Sequence, residues 1–271
     1  LPRDEPLGLA GIRGQPGAQE LINLHNRVGE GHPPLTFSAW ETPTMIRILL
    51  FATFSLSAHD TFAACDVNPE RLGARYVETR TVIEPEKEEI THLTVWRGDR
   101  QIAHEYTDKR VTELWEKGAS ERMRLVLYFE DNQRGIEYQP GEEGLETSNE
   151  AWLNKSHLIP ADMLTSMELK DTSGQACVRT EFYEKQEEGL SIRIEWLPEP
   201  KLVKSATWAT ENTRIELVLE ETVTDPADVD AVFARLSDYQ TTDFADIGDQ
   251  ESDPFLQKII NLGFTGQDHG H

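Results

Sequence analysis

Short runs of alternating apolar and polar residues, cut by turn residues, fill the chain from residue 75 to 223. A period of two sends successive side chains to opposite faces, so each run reads as a strand with one face buried. Residues 75–84 (RYVETRTVIE) alternate imperfectly and end at Pro85. Residues 90–96 (ITHLTVW) alternate better, and Arg97-Gly98-Asp99-Arg100 turns them into 101–106, a hairpin signal. The meander continues through 111–116, 122–129 and 136–138, with the turn 131–135 between the last two. A second meander is expected over 176–183, 190–196, 202–209 and 214–223. Ile192, Ile194 and Trp196 share one face and Arg193 and Glu195 the other, the pattern of an antiparallel sheet buried on one side. The fold class is therefore α+β and mostly β: an antiparallel sheet with a short inserted helix and a C-terminal helix.

The inserted segment follows a polar, glycine-containing loop at 140–149. From Trp152 to Met167 its apolar residues gather around Pro160, and the spacing of Met163 and Met167 predicts a short helix starting near Pro160, since proline suits a first helical turn. Further on, Asp253 is a cap, Pro254 a first helical residue and Gly263 a stop, so 254–262 reads as an amphipathic helix. Its face of Phe255, Ile259 and Leu262 is expected to dock on the sheet or on a partner. The acidic run before it (Asp243, Asp246, Asp249, Glu251, Asp253) lacks the alternating spacing that lets an EF-hand loop converge on one calcium ion. The chain ends Asp268-His269-Gly270-His271, a tail whose imidazoles and carboxylate suit weak binding of a divalent transition metal. No other cofactor is implied.

Export bounds which part of the chain folds. Met45-Ile46-Arg47 followed by the apolar run 48–58 and small residues at 61–64 forms a secretory signal, too short to span a membrane. The expected organisation is 1–44, an over-extended reading frame or disordered leader; 45–63, a signal peptide exported by the Sec route; 64–240, the antiparallel β domain; and 241–271, the acidic linker, short helix and histidine tail. Cys65 and Cys177, both after the signal, suit a disulfide in an oxidising compartment. The rival reading takes Phe62-Ala63-Ala64-Cys65 as a degenerate lipobox, with Cys65 lipid-anchored at the membrane. The net charge of −23 repels phosphate backbones and anionic headgroups, which argues against nucleic acid and against electrostatic membrane docking.

Catalytic motifs are missing: there is no Gly-x-Ser-x-Gly, phosphate-cradling glycine loop, His-Glu-x-x-His or Cys-x-x-Cys, and His92, His104 and His157 have no partner pattern. The aromatic set, by contrast, is conspicuous. Trp96, Trp115, Trp196 and Trp208 fall in predicted strands, either lining a ligand cavity or filling a sheet–helix core.

A meander, an inserted helix, then the strands at 190–196, 197–206 and 213–219, closing on 225–233 (DPADVDAVF), resemble the lipoprotein-carrier superfamily that includes LolA, LolB and RseB. The resemblance covers roughly residues 72–236 as an order of elements. It implies a curved antiparallel sheet, a LolA-like half-barrel with short helices plugging its concave face. It also implies a non-catalytic periplasmic or envelope-associated protein whose partner is a hydrophobic or lipidic ligand or an envelope protein. The four tryptophans would then line the ligand site.

Overall fold

In the computed structural model, residues 65–142, 145–249 and 252–261 are described. Twelve strands form one sheet. The first meander comprises β1 (Leu72–Val82), β2 (Lys87–Gly98), β3 (Gln101–Tyr106), β4 (Val111–Lys117), β5 (Met123–Phe129) and β6 (Arg134–Tyr138). After helix α1 (Asn149–His157), the second comprises β7 (Glu168–Ser173), β8 (Thr180–Glu187), β9 (Leu190–Leu197), β10 (Leu202–Ala209) and β11 (Thr213–Val223). Helix α2 (Pro226–Ser237), strand β12 (Gln240–Asp243) and helix α3 (Pro254–Asn261) complete the chain. The sheet order β12-β6-β5-β4-β3-β2-β1-β11-β10-β9-β8-β7 shows how the meanders become one sheet. Strand β1 sits at the centre and pairs antiparallel with β2 on one side and β11 on the other. The chain thus carries the expected mostly-β, open curved sheet. One departure is β12, which adds to the edge in parallel with β6.

The two faces of the sheet are both used. On the inner face, Leu72, Tyr76, Trp115, Ile194, Trp208 and Ile215 pack with Ile159, Met163 and Met167 of the inserted segment. Farther along the same face, Val111, Phe129, Ile136 and Tyr138 pack with Phe244 and Ile247 and with Phe255, Leu256 and Ile259 of α3. On the outer face, Trp96, Leu114, Val126 and Tyr128 lie beneath Val229, Phe233 and Leu236 of α2. Two glycines make room there. A Cβ on Gly73 would meet the Trp96 ring at 2.5 Å and one on Gly98 the Phe233 ring at 2.7 Å, so both rings lie directly against backbone.

The inserted helix is not where the sequence places it. Ser148 caps α1 by accepting a hydrogen bond from the Ala151 amide (3.0 Å), and Leu158, in the left-handed conformation, ends it. Pro160 therefore follows the helix and blocks its continuation, leaving only a 3-10 turn at Leu164–Ser166. The capping signal at Ser148 and Glu150 lay inside a stretch whose glycines and charges read as loop. Strand β7, exposed on every residue, was missed because neither of its faces is apolar. Residues 176–178 form a 3-10 turn, and β8 starts only at Thr180.

Candidate ligand-binding surface

The inner face is covered by two separate segments. The inserted segment sits over β1, β2 and the second meander, and the C-terminal segment sits over β4, β5 and β6. Leu125 of β5 is half-buried and packs against both clusters, which marks the seam between them. Along this seam the floor turns polar. Strand register places Glu113 directly beside His104 and Tyr106 directly beside Val111, while Tyr76 pairs with Leu93, which pairs in turn with Tyr106. Glu78 follows Tyr76 by two residues and so shares its face. Tyr76, Leu93 and Tyr106 thus form one row across β1, β2 and β3, with Glu78 two positions to one side of it and Glu113 two positions to the other.

Burial acts on each of these groups. It pushes the Glu78 carboxyl above its usual range, against the pull of Lys109 and Arg80 and with Glu89 adding to the rise. It does the same to Glu113, against Lys155 and Lys109. Burial also raises the Tyr76 and Tyr106 hydroxyls, Tyr106 further because Glu113 and Glu78 face it. His104 moves the opposite way, down to about 3, because burial and then Lys155 disfavour its cation. It is a neutral imidazole whose Nε2 donates to the Lys155 carbonyl at 2.8 Å and whose ring meets Trp115 edge-on at 4.6 Å. Among the described residues, the side chains of Glu78, Glu113, Tyr76 and Tyr106 make neither a hydrogen bond nor an ion pair. An unpaired polar group in a half-buried place is expensive. Lys109 Nζ lies 5.6 Å from the Tyr106 ring centre and Lys155 Nζ 4.5 Å from that of Trp115.

The inserted helix is fastened beside this row by its C-terminal end. Arg97 of β2, only 2% exposed, donates from Nε and Nη2 to the Ser156 carbonyl (3.0 and 2.6 Å). The same guanidinium reaches the carbonyls of Pro69 (3.0 Å), Pro200 (3.0 Å) and Lys201 (2.8 Å). One buried cation therefore joins the N-terminal segment, α1 and the β9–β10 turn, at the helix end whose dipole favours positive charge. His157, next in sequence, packs on Trp196 at 5.4 Å and is pushed down to about 4 by burial and by Arg97 and Lys201.

The structure divides the residues singled out from sequence. Trp115, Trp196 and Trp208 share the inner face, all deeply buried, and among the described residues the Trp208 indole N–H has no hydrogen-bond partner. Trp96 does not join them. It occupies the outer face against α2 and donates from Nε1 to Glu105 at 2.8 Å, so it leaves the ligand set. Phe255 and Ile259 are 7% and 1% exposed within the second inner-face cluster, packed on the chain's own sheet, so they offer no free face to a partner. Leu262 lies outside the described residues, as do the signal segment and the tail with Asp268, His269 and His271. Of the acidic run, Asp253 caps α3, its Oδ1 accepting from the Phe255 amide at 2.8 Å. Among the described residues no group of three potential metal ligands converges. Cys65 and Cys177 form a disulfide with Cα atoms 4.8 Å apart, which leaves the Cys65 sulfur unavailable to a lipid thioether. Sequence reasoning missed Glu78, Tyr106, Glu113 and Arg97. The available signal was charged or phenolic side chains at strand positions in phase with the apolar face.

No helix of the described residues is long and apolar enough to cross a membrane. No protein-family model matches the chain, and no curated protein is similar to it in sequence. Solved structures are similar to it at low identity. PNGF-II is 7% identical with a TM-score of 0.30, covering 63% of this chain and 31% of its own, so the chain spans about a third of that protein's length. A LolA superfamily protein from Nitrosomonas europaea is 7% identical with a TM-score of 0.27, covering 58% of this chain and 87% of its own. The MucA/MucB complex of Pseudomonas aeruginosa is 8% identical with a TM-score of 0.27, covering 57% of this chain and 52% of its own. Solved structures of the superfamily suggested by the order of elements are thus among those to which the chain is similar.

Proposed function

We propose that this chain is an exported, non-catalytic binding protein that holds a hydrophobic or lipidic ligand on the inner face of its sheet. One observation carries the reading: beneath two separate covers the inner face carries the partly buried side chains of Glu78, Tyr106 and Glu113, which make no hydrogen bond or ion pair among the described residues. A surface meant only as core would pair or omit such groups. Apolar residues, Leu93 within the row and Leu125 of β5 among them, supply the dispersion contact an alkyl chain needs. A protein partner taking the ligand's place would enter by the same face, since the amphipathic face of α3 is already covered. Export is supported by the signal pattern at 45–63 and by the disulfide, a bond that persists in oxidising compartments.

The test is to express the gene from Met45 in a Gram-negative host, extract the envelope in mild detergent and weigh the protein natively and after denaturation. The expected denatured mass starts at Ala64 or Cys65 and is two hydrogens light, with extra native mass from an apolar cargo. A diacylglycerol on Cys65, or a native mass without cargo that no added alkyl compound raises, counts against the reading.

A further inference from the structure

We propose that the outer face of the sheet, at the β1–β2 hairpin end, docks a basic amphipathic helix of a partner protein, which lies on Val77, Ile90 and Val218 with its cations beside Glu84, Glu86 and Glu88. This second surface is separate from the inner-face site and stands whether or not that site holds a ligand.

The outer face is only partly covered. Helix α2 lies over Trp96, Leu114, Val126 and Tyr128 of β2 to β5 and leaves the hairpin end of β1, β2 and β11 uncovered. Strand register gathers apolar side chains there. Val77 pairs with Val218 on one side and His92 on the other, and Thr79 pairs with Ile90. Paired residues share a face, as do residues two apart, so Val77, Ile90 and Val218 are neighbours on one surface. Trp96 follows Ile90 by an even number of positions on β2, which makes that surface the outer one. Ile90 is 51% exposed, Val218 48% and Ile83, at the hairpin, 50%. These are three of the six large apolar side chains exposed among the described residues, and such gathering marks an interaction surface where scattered single residues mean nothing.

The surrounding charges point to what covers the patch. Arg75 is held by Glu221, Arg214 by Glu216 at 2.7 Å and His92 by Asp108 at 2.9 Å, so these basic groups of the rim already have carboxylates of their own. Glu84, Glu86 and Glu88 are exposed and make no hydrogen bond or ion pair among the described residues, with Lys87 as the base among them. A basic segment gains charge contacts there. A second copy of this chain, with its net charge of −23, or an anionic headgroup would meet like charge. A sheet face, unlike a sheet edge, takes a helix on top of it, as α2 already lies on the same side. The docked helix therefore continues the layer that α2 begins.

The probe is a labelled peptide of about 18 residues, roughly five helical turns, with leucine on one face and lysine on the other. Its binding to the full chain is followed by fluorescence anisotropy at pH 7, beside a peptide of the same composition in scrambled order and one with glutamate for lysine. The amphipathic lysine peptide is expected to bind about tenfold more tightly than either control. Ile90→Thr with Val218→Thr keeps β-branched strand residues and should weaken it about tenfold. Glu84→Gln, Glu86→Gln and Glu88→Gln together should weaken it severalfold at low salt and little at high salt. Leu169→Thr, at an equally exposed site on β7, should change nothing. Should the double variant unfold, methyl NMR of the unsubstituted protein replaces it: the peptide should shift the Val77, Ile90 and Val218 signals and leave those of Leu169 and Val178 in place. The proposal is overturned if the lysine peptide does not bind or if either control peptide equals it. It is overturned equally if the variants hold the peptide undiminished, if Leu169→Thr loosens it as much, or if other methyl signals shift instead.

Discussion

Arg97 is the side chain whose loss should be felt most widely. It supplies hydrogen bonds to four carbonyls from three separate segments. Arg97→Met keeps most of the volume and strips the donors, so unfolding in urea should show a loss on the order of 3 kcal/mol or more, given the cost of buried carbonyls left unpaired. A loss below about 1 kcal/mol would mean that water takes over the contacts. His104 makes a prediction of opposite character, about pH. Its folded pKa of about 3 lies below the ordinary 6.5, so the unfolded chain takes up a proton over that window and the folded chain does not. His157, at about 4, behaves alike. Stability contributed by the neutral rings is therefore present above pH 6.5 and falls as pH drops, by about 1.4 kcal/mol per unit per group. Glu78 and Glu113 oppose this, since carboxyls pushed upward favour the folded state as pH falls. His104→Gln, which can still donate to the Lys155 carbonyl, isolates one share. Its stability should decline between pH 6 and 4 with a slope shallower by about 1.4 kcal/mol per unit, and an unchanged slope would show that His104 is protonated in the fold. At this scale the alternation of Ile192, Ile194 and Trp196 was legible and correct. The face of Trp96 was not, because β2 is buried on both sides from Leu93 to Arg97 and parity there no longer separates core from solvent.

Among the elements, α3 shows how far sequence reaches. Its start at Pro254, the Asp253 cap and its apolar stripe were all readable, whereas its destination was not, since an amphipathic helix carries the same pattern whether its partner is its own sheet or another chain. Phe255 stacks edge-on against Phe129 at 5.5 Å, and the Arg134 guanidinium lies 4.9 Å from the Phe255 ring centre. Phe255→Ala and Ile259→Ala should each lower stability, by roughly 3 to 5 and 2 to 5 kcal/mol for buried side chains of these sizes. A helix reserved for a partner would lose binding and keep its melting temperature, so thermal unfolding of the two variants separates the cases. The disulfide also works between elements, joining the segment before β1 to the turn before β8 across 112 residues. The chain-entropy relation puts its contribution at about 4 to 5 kcal/mol for a loop of that length. Cys65→Ser with Cys177→Ser should therefore shift the urea midpoint strongly, and an unchanged midpoint would mean that the closed loop is already restricted in the unfolded chain.

On the scale of the whole molecule, the two meanders were legible and their union was not. Strand β1 meets β11 across more than half the described chain, and no local pattern announces a pairing between residues so far apart. Charge, on the other hand, is a whole-molecule property that sequence states outright, and it sets two effects against each other. Cross-strand ion pairs such as Arg75–Glu221, Arg193–Glu184 and Lys204–Glu195 lie on exposed surface. Exposed pairs contribute about 0.2 to 1 kcal/mol each and weaken as salt rises. The excess of 49 acidic over 26 basic residues acts in the other direction, because the surplus carboxylates repel one another throughout the folded surface. Repulsion among many groups at spacings near the screening length of about 10 Å at 0.1 M is removed by modest salt, while close pairs at contact distance are only partly screened. The surplus should therefore win. Raising sodium chloride from about 10 to 150 mM at pH 7 is expected to raise the melting temperature by a few degrees, each ~2 to 4 °C corresponding to about 1 kcal/mol in a domain of this size. A fall over that range would show instead that the cross-strand pairs outweigh the repulsion and that the acidic surplus is spaced widely enough to be borne without cost.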